Sequence, residues 1–222
     1  MLRVSAKCEE NRFTEWLNYN FIDRQMENCI VALEWENVRV PFKIEVVKPN
    51  EVLFESLKSE LKGRGQFLWG AYSDAAANLN FSNIYMDTAL EWINKSLELE
   101  RNGINLQVKV SILLKKNKNN EEIKKLLYEA VPITRNPWVL NNIAYNLLEI
   151  GDTKMAIEAA KKLTEDHKDH LNIWGFTDTL AGTYLKNGNK EMAIKYYKVA
   201  KSKAPKNQQE YYKDLIIKLE ND

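Results

Sequence analysis

Apolar and polar side chains alternate along the first 46 residues of the chain, which is the pattern of half-buried β-strands. The apolar positions are Leu17, Tyr19, Phe21, Cys29, Val31, Leu33, Trp35, Val38, Val40, Phe42, Ile44 and Val46. A two-residue turn at Glu36-Asn37 places Trp35 opposite Val38, Leu33 opposite Val40 and Val31 opposite Phe42 on one face. It brings Glu34 to Arg39 on the other face. We therefore predict an antiparallel β-meander, with Leu2–Lys7 as a further strand.

After Lys48 the apolar positions recur with the period of a helix. Leu53, Leu57 and Leu61 form the first stripe, behind a predicted cap at Asn50. Four helical hairpins follow, predicted as Phe67–Leu79 with Met86–Glu98, Leu106–Lys115 with Glu121–Val131, Pro137–Ile150 with Lys154–Glu165, and Ile173–Lys186 with Lys190–Lys203. The predicted class is α+β and mainly α, with a β segment in residues 1–48 and a helical domain in residues 49–222.

Small and polar residues mark where these helices begin and end. Asn136 followed by Pro137 is typical of a helix start, and Gly188-Asn189 is expected to end one helix and cap the next. A last helix is predicted to begin at Asn207, with an apolar stripe formed by Tyr211, Leu215 and Leu219. We expect this helix to cover the open side of the last hairpin.

The helical segment contains an internal repeat, because Met155-Ala156-Ile157 recurs as Met192-Ala193-Ile194. The equivalent positions at the start of each second helix are Ala89, Ile123, Ala156 and Ala193, spaced by 34, 33 and 37 residues. Periods of about 34 residues are typical of stacked helical hairpins, which share one elongated core. The longer last spacing predicts a longer loop at Asp169-His170-Leu171.

The last hairpin resembles the tetratricopeptide repeat at Leu180, Ala181, Tyr184, Gly188, Ala193, Tyr197, Ala200 and Pro205. The preceding hairpin keeps Ile143, Ala144, Leu147, Gly151, Ala156 and Ala160, and the first two hairpins match at fewer positions. The resemblance covers residues of about 66–205 and implies an α-solenoid. The alternative interpretation of the same pattern is an ordinary bundle of antiparallel helices.

The resemblance also implies a partner-binding groove, lined by the outward face of the first helix of each hairpin. Its candidate residues, carried over position by position, are Asp74, Asn78, Asn105, Val108, Lys109, Trp138, Asn141, Asn142, Tyr145, Asp178 and Gly182. Family members that grip a terminal carboxylate use Lys, Asn and Arg there, whereas only Lys109 and Asn142 remain here beside two aspartates. A basic or aromatic segment therefore fits this groove better. Trp138, at the start of a first helix, is either a core residue or an exposed anchor for such a segment.

A second resemblance covers residues of about 1–100. Its residues are Leu33-Glu34-Trp35-Glu36, then 39–46, Trp69, Ala75-Ala76 and 89–93, and they are similar to a bacterial family of unassigned function. In that family a β domain, behind a secretory signal, runs into helices. The resemblance implies that residues 1–48 are the end of a larger β domain and that the protein is periplasmic or secreted, although this chain begins without a signal peptide.

Charge and composition exclude some partners. The chain of 222 residues has 32 Lys and Arg against 31 Asp and Glu, so it offers no basic field for nucleic acid. No apolar run approaches the ~18 residues that cross a bilayer. We therefore predict neither nucleic-acid binding nor a membrane span.

No catalytic, metal or cofactor site is predicted from the sequence. His167 and His170 are the only histidines, and two ligands do not make a zinc site, so we interpret them as part of a solvated loop. Gly63-Arg64-Gly65 lies between helices and not after a strand, which is typical of a linker and not of a dinucleotide-binding loop.

These observations favour a non-catalytic module that binds a protein or peptide. One alternative is a structural, self-assembling C-terminal part of a secreted protein, and a more remote one is a hydrolase that uses Asp or Glu pairs brought together by folding. Strands without neighbours expose backbone donors and acceptors, so we also expect a homodimer through the β segment.

Overall fold

The computed structural model describes residues 3–25, 27–117 and 120–221, and the chain divides into two units, residues 1–59 and 60–222. Its strands are β1 (Glu9–Ile22) and β2 (Asn28–Glu45). Its helices are α1 (Pro49–Glu60), α2 (Trp69–Ser82), α3 (Met86–Leu99), α4 (Gly103–Lys115), α5 (Asn120–Ile133), α6 (Pro137–Glu149), α7 (Thr153–Asp166), α8 (Ile173–Lys186), α9 (Lys190–Lys203) and α10 (Lys206–Asn221), with a short 3₁₀ helix at Gly63–Phe67.

The first unit contains a two-stranded antiparallel sheet in which Tyr19 pairs with Leu33 and Phe21 with Val31. The predicted turn at Glu36-Asn37 is wrong, because β2 continues through it and the hairpin turn lies between the two strands instead. Glu36 has a left-handed backbone (φ 49°), and the register shifts nearby. This is how a β-bulge bends a strand without reversing it.

Two further details of the β segment follow from this register. Glu34 is buried, and Arg39 Nε donates to its Oε1 at 2.6 Å, so the predicted pair is confirmed, but within one strand. Residues 3–7 of the predicted strand Leu2–Lys7 form no strand, and Leu2 lies outside the described residues. The antiparallel β part and the mainly α class are confirmed.

The second unit is a stack of four helical hairpins, formed by α2 with α3, α4 with α5, α6 with α7, and α8 with α9. Each first helix also contacts the next first helix, from α2 through α8, and α10 packs on α9 as a capping helix. This is the geometry of an α-solenoid, in which each hairpin buries its apolar face on its neighbours.

The repeat register predicted from the sequence is confirmed by burial. The four equivalent positions Ala89, Ile123, Ala156 and Ala193 are all 0% exposed. The loop between α7 and α8 has six residues (167–172), whereas the loops at 100–102 and 134–136 have three. The longer last spacing therefore lies where it was predicted.

Helix ends follow the capping residues. Asn136 Oδ1 accepts hydrogen bonds from the backbone N–H groups of Trp138 and Val139, at 3.0 and 3.3 Å, and fixes the start of α6. Gly188 has φ +80°, and the following Asn189 N–H donates back to the Tyr184 carbonyl, which closes α8.

Three predicted helix starts are wrong. α2 begins at Trp69 and not at Phe67, which is the last residue of the short 3₁₀ helix. α1 begins at Pro49, so Asn50 lies inside its first turn and does not cap it. α4 begins at Gly103 and not at Leu106, because Asn102 caps it and forms a capping box with Asn105.

Candidate functional site

Three helices of the second unit present polar and aromatic side chains on one surface. Helical spacing places Trp138, Asn141 and Tyr145 on one face of α6, and Asp178 and Gly182 one turn apart on α8. Together with Tyr211 of α10 and Thr179, these residues define what we call the α6–α8–α10 surface.

A hydroxyl group joins α6 to α8 at the centre of this surface. Thr179 Oγ1 lies 2.8 Å from Asn141 Oδ1, to which it donates, and 3.4 Å from the Tyr145 hydroxyl. Thr179 is buried, whereas Tyr145 is 49% exposed. The hydrogen bond holds the two helices at a fixed separation and leaves the Tyr145 ring available to solvent.

Trp138 lies at one end of the surface and is 53% exposed, which favours the exposed alternative over a core position. Its ring packs edge-on against Phe176, with centroids 5.4 Å apart, and against His170 at 6.0 Å. His167 also packs on Phe176. Both histidines lie in the loop between α7 and α8, as predicted, but they are half-buried against Phe176 and not fully solvated.

Asp178 lies half-buried near the other end of the surface. The Tyr212 phenol donates a hydrogen bond to its carboxylate. Burial raises the pKa of Asp178 above its usual range, and the Tyr212 hydrogen bond opposes that shift only in part.

Two tyrosines near Asp178 hold their protons more tightly than usual. Burial, with smaller contributions from Asp178, Tyr211 and Tyr145, raises the pKa of Tyr197 to about 12. Burial, followed by the Asp178 charge, also raises the pKa of Tyr212. The rings of Tyr211 and Tyr212 meet edge-on with centroids 5.3 Å apart. Asp178 therefore lies near the neutral phenols of Tyr197 and Tyr212.

The remaining candidate residues do not join this cluster. Asp74 and Asn78 are exposed on α2, where the Asn78 amide donates to the Asp74 carbonyl at 2.8 Å. Lys109 of α4 is half-buried, with its Nζ 3.7 Å from Glu122 Oε1. Asn142 is exposed on α6 beside Asn141.

The prediction that Asn105 lines the groove is wrong. Asn105 is fully buried, its side-chain amide donates to the Glu100 carbonyl at 2.6 Å, and its oxygen accepts from the Asn102 N–H at 3.0 Å. Asn105 is therefore a capping residue inside the helix stack and does not line an exposed groove.

The sequence prediction missed the contribution of α10. It assigned Tyr211 to the buried stripe, whereas Tyr211 is 60% exposed and Tyr212 and Ile216 are buried. The pair Tyr211-Tyr212 allowed either residue to face the core. Thr179 and Tyr197 were also missed, although Tyr197 matched a packing position of the repeat.

Three further observations on the described residues concern metal sites, membrane spans and cavities. Among these residues, no group of three or more His, Cys, Asp or Glu side chains is placed to hold a metal ion. No helix over the same residues is long and apolar enough to cross a membrane. A cleft of about 450 Å³ lies elsewhere, between α9 and α10, and has a basic rim formed by Lys198, Lys201 and Lys213.

Comparison with known proteins identifies the fold. The structure is similar to that of YrrB, described as a TPR protein with an unusual peptide-binding site, with 14% identity over 76% of this chain and 85% of that chain and a TM-score of 0.54. It is also similar to MamA, with 16% identity over 68% of this chain and 85% of that chain and a TM-score of 0.52.

Neither a family model nor a curated protein matches the sequence. The structural similarities show the fold alone, and they confirm the predicted tetratricopeptide-type helical array. The second resemblance, to a bacterial β-domain family, stays a prediction.

Proposed function

We propose that this protein is a non-catalytic interaction module that binds a polypeptide segment along the α6–α8–α10 surface. The observation that carries the proposal is the exposure of three aromatic side chains, Trp138 and Tyr145 of α6 and Tyr211 of α10, with α6 joined to α8 by the Thr179–Asn141 hydrogen bond. Large aromatic side chains on rigid elements are the typical energetic centres of protein interfaces.

The fold supports the same proposal. YrrB is described as having a peptide-binding site, and it shares the helical array with this chain. Stacked hairpins present a long surface suited to an extended partner. The α6–α8–α10 surface is acidic at Asp178 and aromatic at both ends, so a basic or aromatic segment is the proposed ligand.

Selection from a random peptide library tests the proposal directly. The full chain is immobilised, peptides are selected, and rebinding is measured to Trp138→Ala and Tyr145→Ala variants. Truncation of an aromatic anchor at an interface costs about 2 kcal/mol or more, so we expect affinity to fall by about 30-fold.

Phe81→Ala is the matched control, because Phe81 is an exposed aromatic residue on α2, outside the α6–α8–α10 surface. The control variant is expected to bind like the parent. Selected peptides that bind all three variants equally well would contradict the proposed site.

The second candidate function is self-assembly through the β segment. It is favoured by the exposed apolar side chains of β1, including Phe13 at 68% and Trp16 at 74% exposure. An isolated two-stranded hairpin is marginal in water and is stabilised by further strands. Under this alternative the chain is the C-terminal part of a secreted protein, as the second resemblance implies.

A further inference from the structure

The Asp178 carboxylate lacks a positive partner within the described residues. Its hydrogen-bond donor is the neutral Tyr212 phenol, and no Lys, Arg or His among the described residues forms an ion pair with it. A half-buried carboxylate without a counter-ion has lost part of its hydration and gained no opposite charge in return. This leaves a local negative charge that a ligand can neutralise.

The surface next to Asp178 is open. Gly182 follows one turn later on α8 and is half-buried. A β-carbon added there would meet nothing nearer than the Tyr197 hydroxyl at 3.8 Å. The absence of a side chain at Gly182 therefore leaves room for a group from outside to reach the carboxylate.

Two exposed aromatic side chains lie in the neighbourhood of this opening. Tyr145 of α6 and Tyr211 of α10 both lie near enough to Tyr197 to raise its pKa, and the Tyr197 hydroxyl is the nearest group to the space at Gly182. Tyrosine rings present a negative face, which attracts cations. A carboxylate near exposed phenol rings is a setting that favours a positively charged ligand.

We propose that Asp178, Tyr145, Tyr211 and the space above Gly182 form a subsite for one cationic side chain of the bound polypeptide, arginine in preference to lysine. The inference rests on the proposed function, because it assigns a ligand chemistry to the same surface. It also gives the half-buried Asp178 carboxylate, which has no counter-ion among the described residues, a partner of opposite charge.

Arginine fits better than lysine for two physical reasons. The guanidinium group is planar and weakly hydrated, so it stacks on phenol rings at a low desolvation cost. A guanidinium group also donates two parallel hydrogen bonds to one carboxylate. Tyr212 donates only one hydrogen bond to Asp178, so the carboxylate can still accept others from a ligand. A ligand carboxylate would instead be repelled by Asp178.

A peptide library with a defined central residue tests the subsite. The probes are random peptides whose central position is arginine, lysine, citrulline or aspartate, and binding to the full chain is measured for each pool. Citrulline has nearly the shape of arginine but no charge. We expect the arginine pool to bind about tenfold more tightly than the citrulline pool, with lysine between them and aspartate weakest.

Asp178→Asn should remove the preference for arginine over citrulline, and Gly182→Met should weaken the arginine pool by filling the opening. Asp74→Asn is the matched control, because Asp74 is an exposed aspartate on α2 and should leave the preference unchanged. Melting curves of each variant confirm folding.

The other possible outcomes contradict the subsite alone or both the subsite and the proposed function. Equal binding of arginine and citrulline, or a preference that survives Asp178→Asn, overturns the subsite. If binding then still depends on Trp138, the proposed function stands without the subsite. Failure of all four pools to bind overturns both.

Discussion

At the scale of single residues, Asp178 is expected to make stability depend on pH in an unusual direction. Burial raises its pKa above the ordinary value of 3.8, so the folded chain holds this proton more tightly than the unfolded chain does. The resulting stabilisation is fully present below the unfolded pKa and is lost as pH rises through the folded pKa.

The Asp178→Asn variant isolates this effect, because Asn keeps an oxygen that accepts from Tyr212 but carries no charge. We predict that its free energy of unfolding at pH 7 exceeds that of the parent and that the difference decreases as pH falls toward 3.8. Urea unfolding at several pH values measures this. A variant less stable than the parent at pH 7 would mean that the folded chain stabilises the charged carboxylate.

Ala193 tests the repeat register at the same scale. It is fully buried in α9, so Ala193→Trp overpacks the helix contact and is predicted to cost about 1–3 kcal/mol of unfolding free energy. Lys195→Trp is the control, because Lys195 is exposed on the same helix. If the two variants unfold at the same urea concentration, the register is wrong.

The positions of some single residues could be predicted from the repeat pattern, and those of others could not. Repeat spacing was sufficient to predict the burial of Ala193, because four hairpins share one pattern. It was not sufficient to exclude Asn105, since the cap at Asn102 moved the helix start and turned that side chain inward. Nor did it decide between Tyr211 and Tyr212, because a terminal helix has a neighbour on one side only.

At the scale of elements, helix ends are set by local hydrogen bonds that the sequence already contains. Asn136 accepts two backbone N–H groups at the start of α6, which carries Trp138 and Tyr145. The last two hairpins were the most predictable, because period, caps and glycines agree there. The strand turn was not, since Glu36-Asn37 suits a hairpin as well as the bulge that forms.

Removal of the Asn136 cap is predicted to destabilise α6. Asn136→Ala leaves two N–H groups without their acceptor and is predicted to cost about 1 kcal/mol of unfolding free energy. Asn142→Ala is the control, because Asn142 is exposed in the middle of the same helix and alanine is the better helix former. A cost for Asn142→Ala equal to that for Asn136→Ala would contradict the capping role.

At the scale of the whole molecule, the β segment is expected to control association. β1 and β2 form a sheet of two strands, so each has one edge without a strand partner among the described residues. Exposed edges beside apolar side chains pair readily with another chain, and a two-fold contact closes on itself. We predict a homodimer through residues 9–45.

Light scattering of the full chain measures this directly. Trp16→Lys places a charge on an exposed position of β1 and is predicted to shift the chain toward the monomer. Phe67→Lys, an equally drastic change at an exposed position in the second unit, is expected to leave the dimer intact. A parent chain that stays monomeric at high concentration contradicts the prediction.

Nuclear magnetic resonance mapping of a selected peptide tests the central claim, that the α6–α8–α10 surface is the binding surface. We predict that the amide signals shifted by the peptide cluster in residues 137–149, 173–186 and 206–221, with Trp138, Asp178 and Tyr211 among the most affected. Shifts confined to residues 9–45, or to α5 and α7, the second helices of their hairpins, would contradict the proposed binding surface.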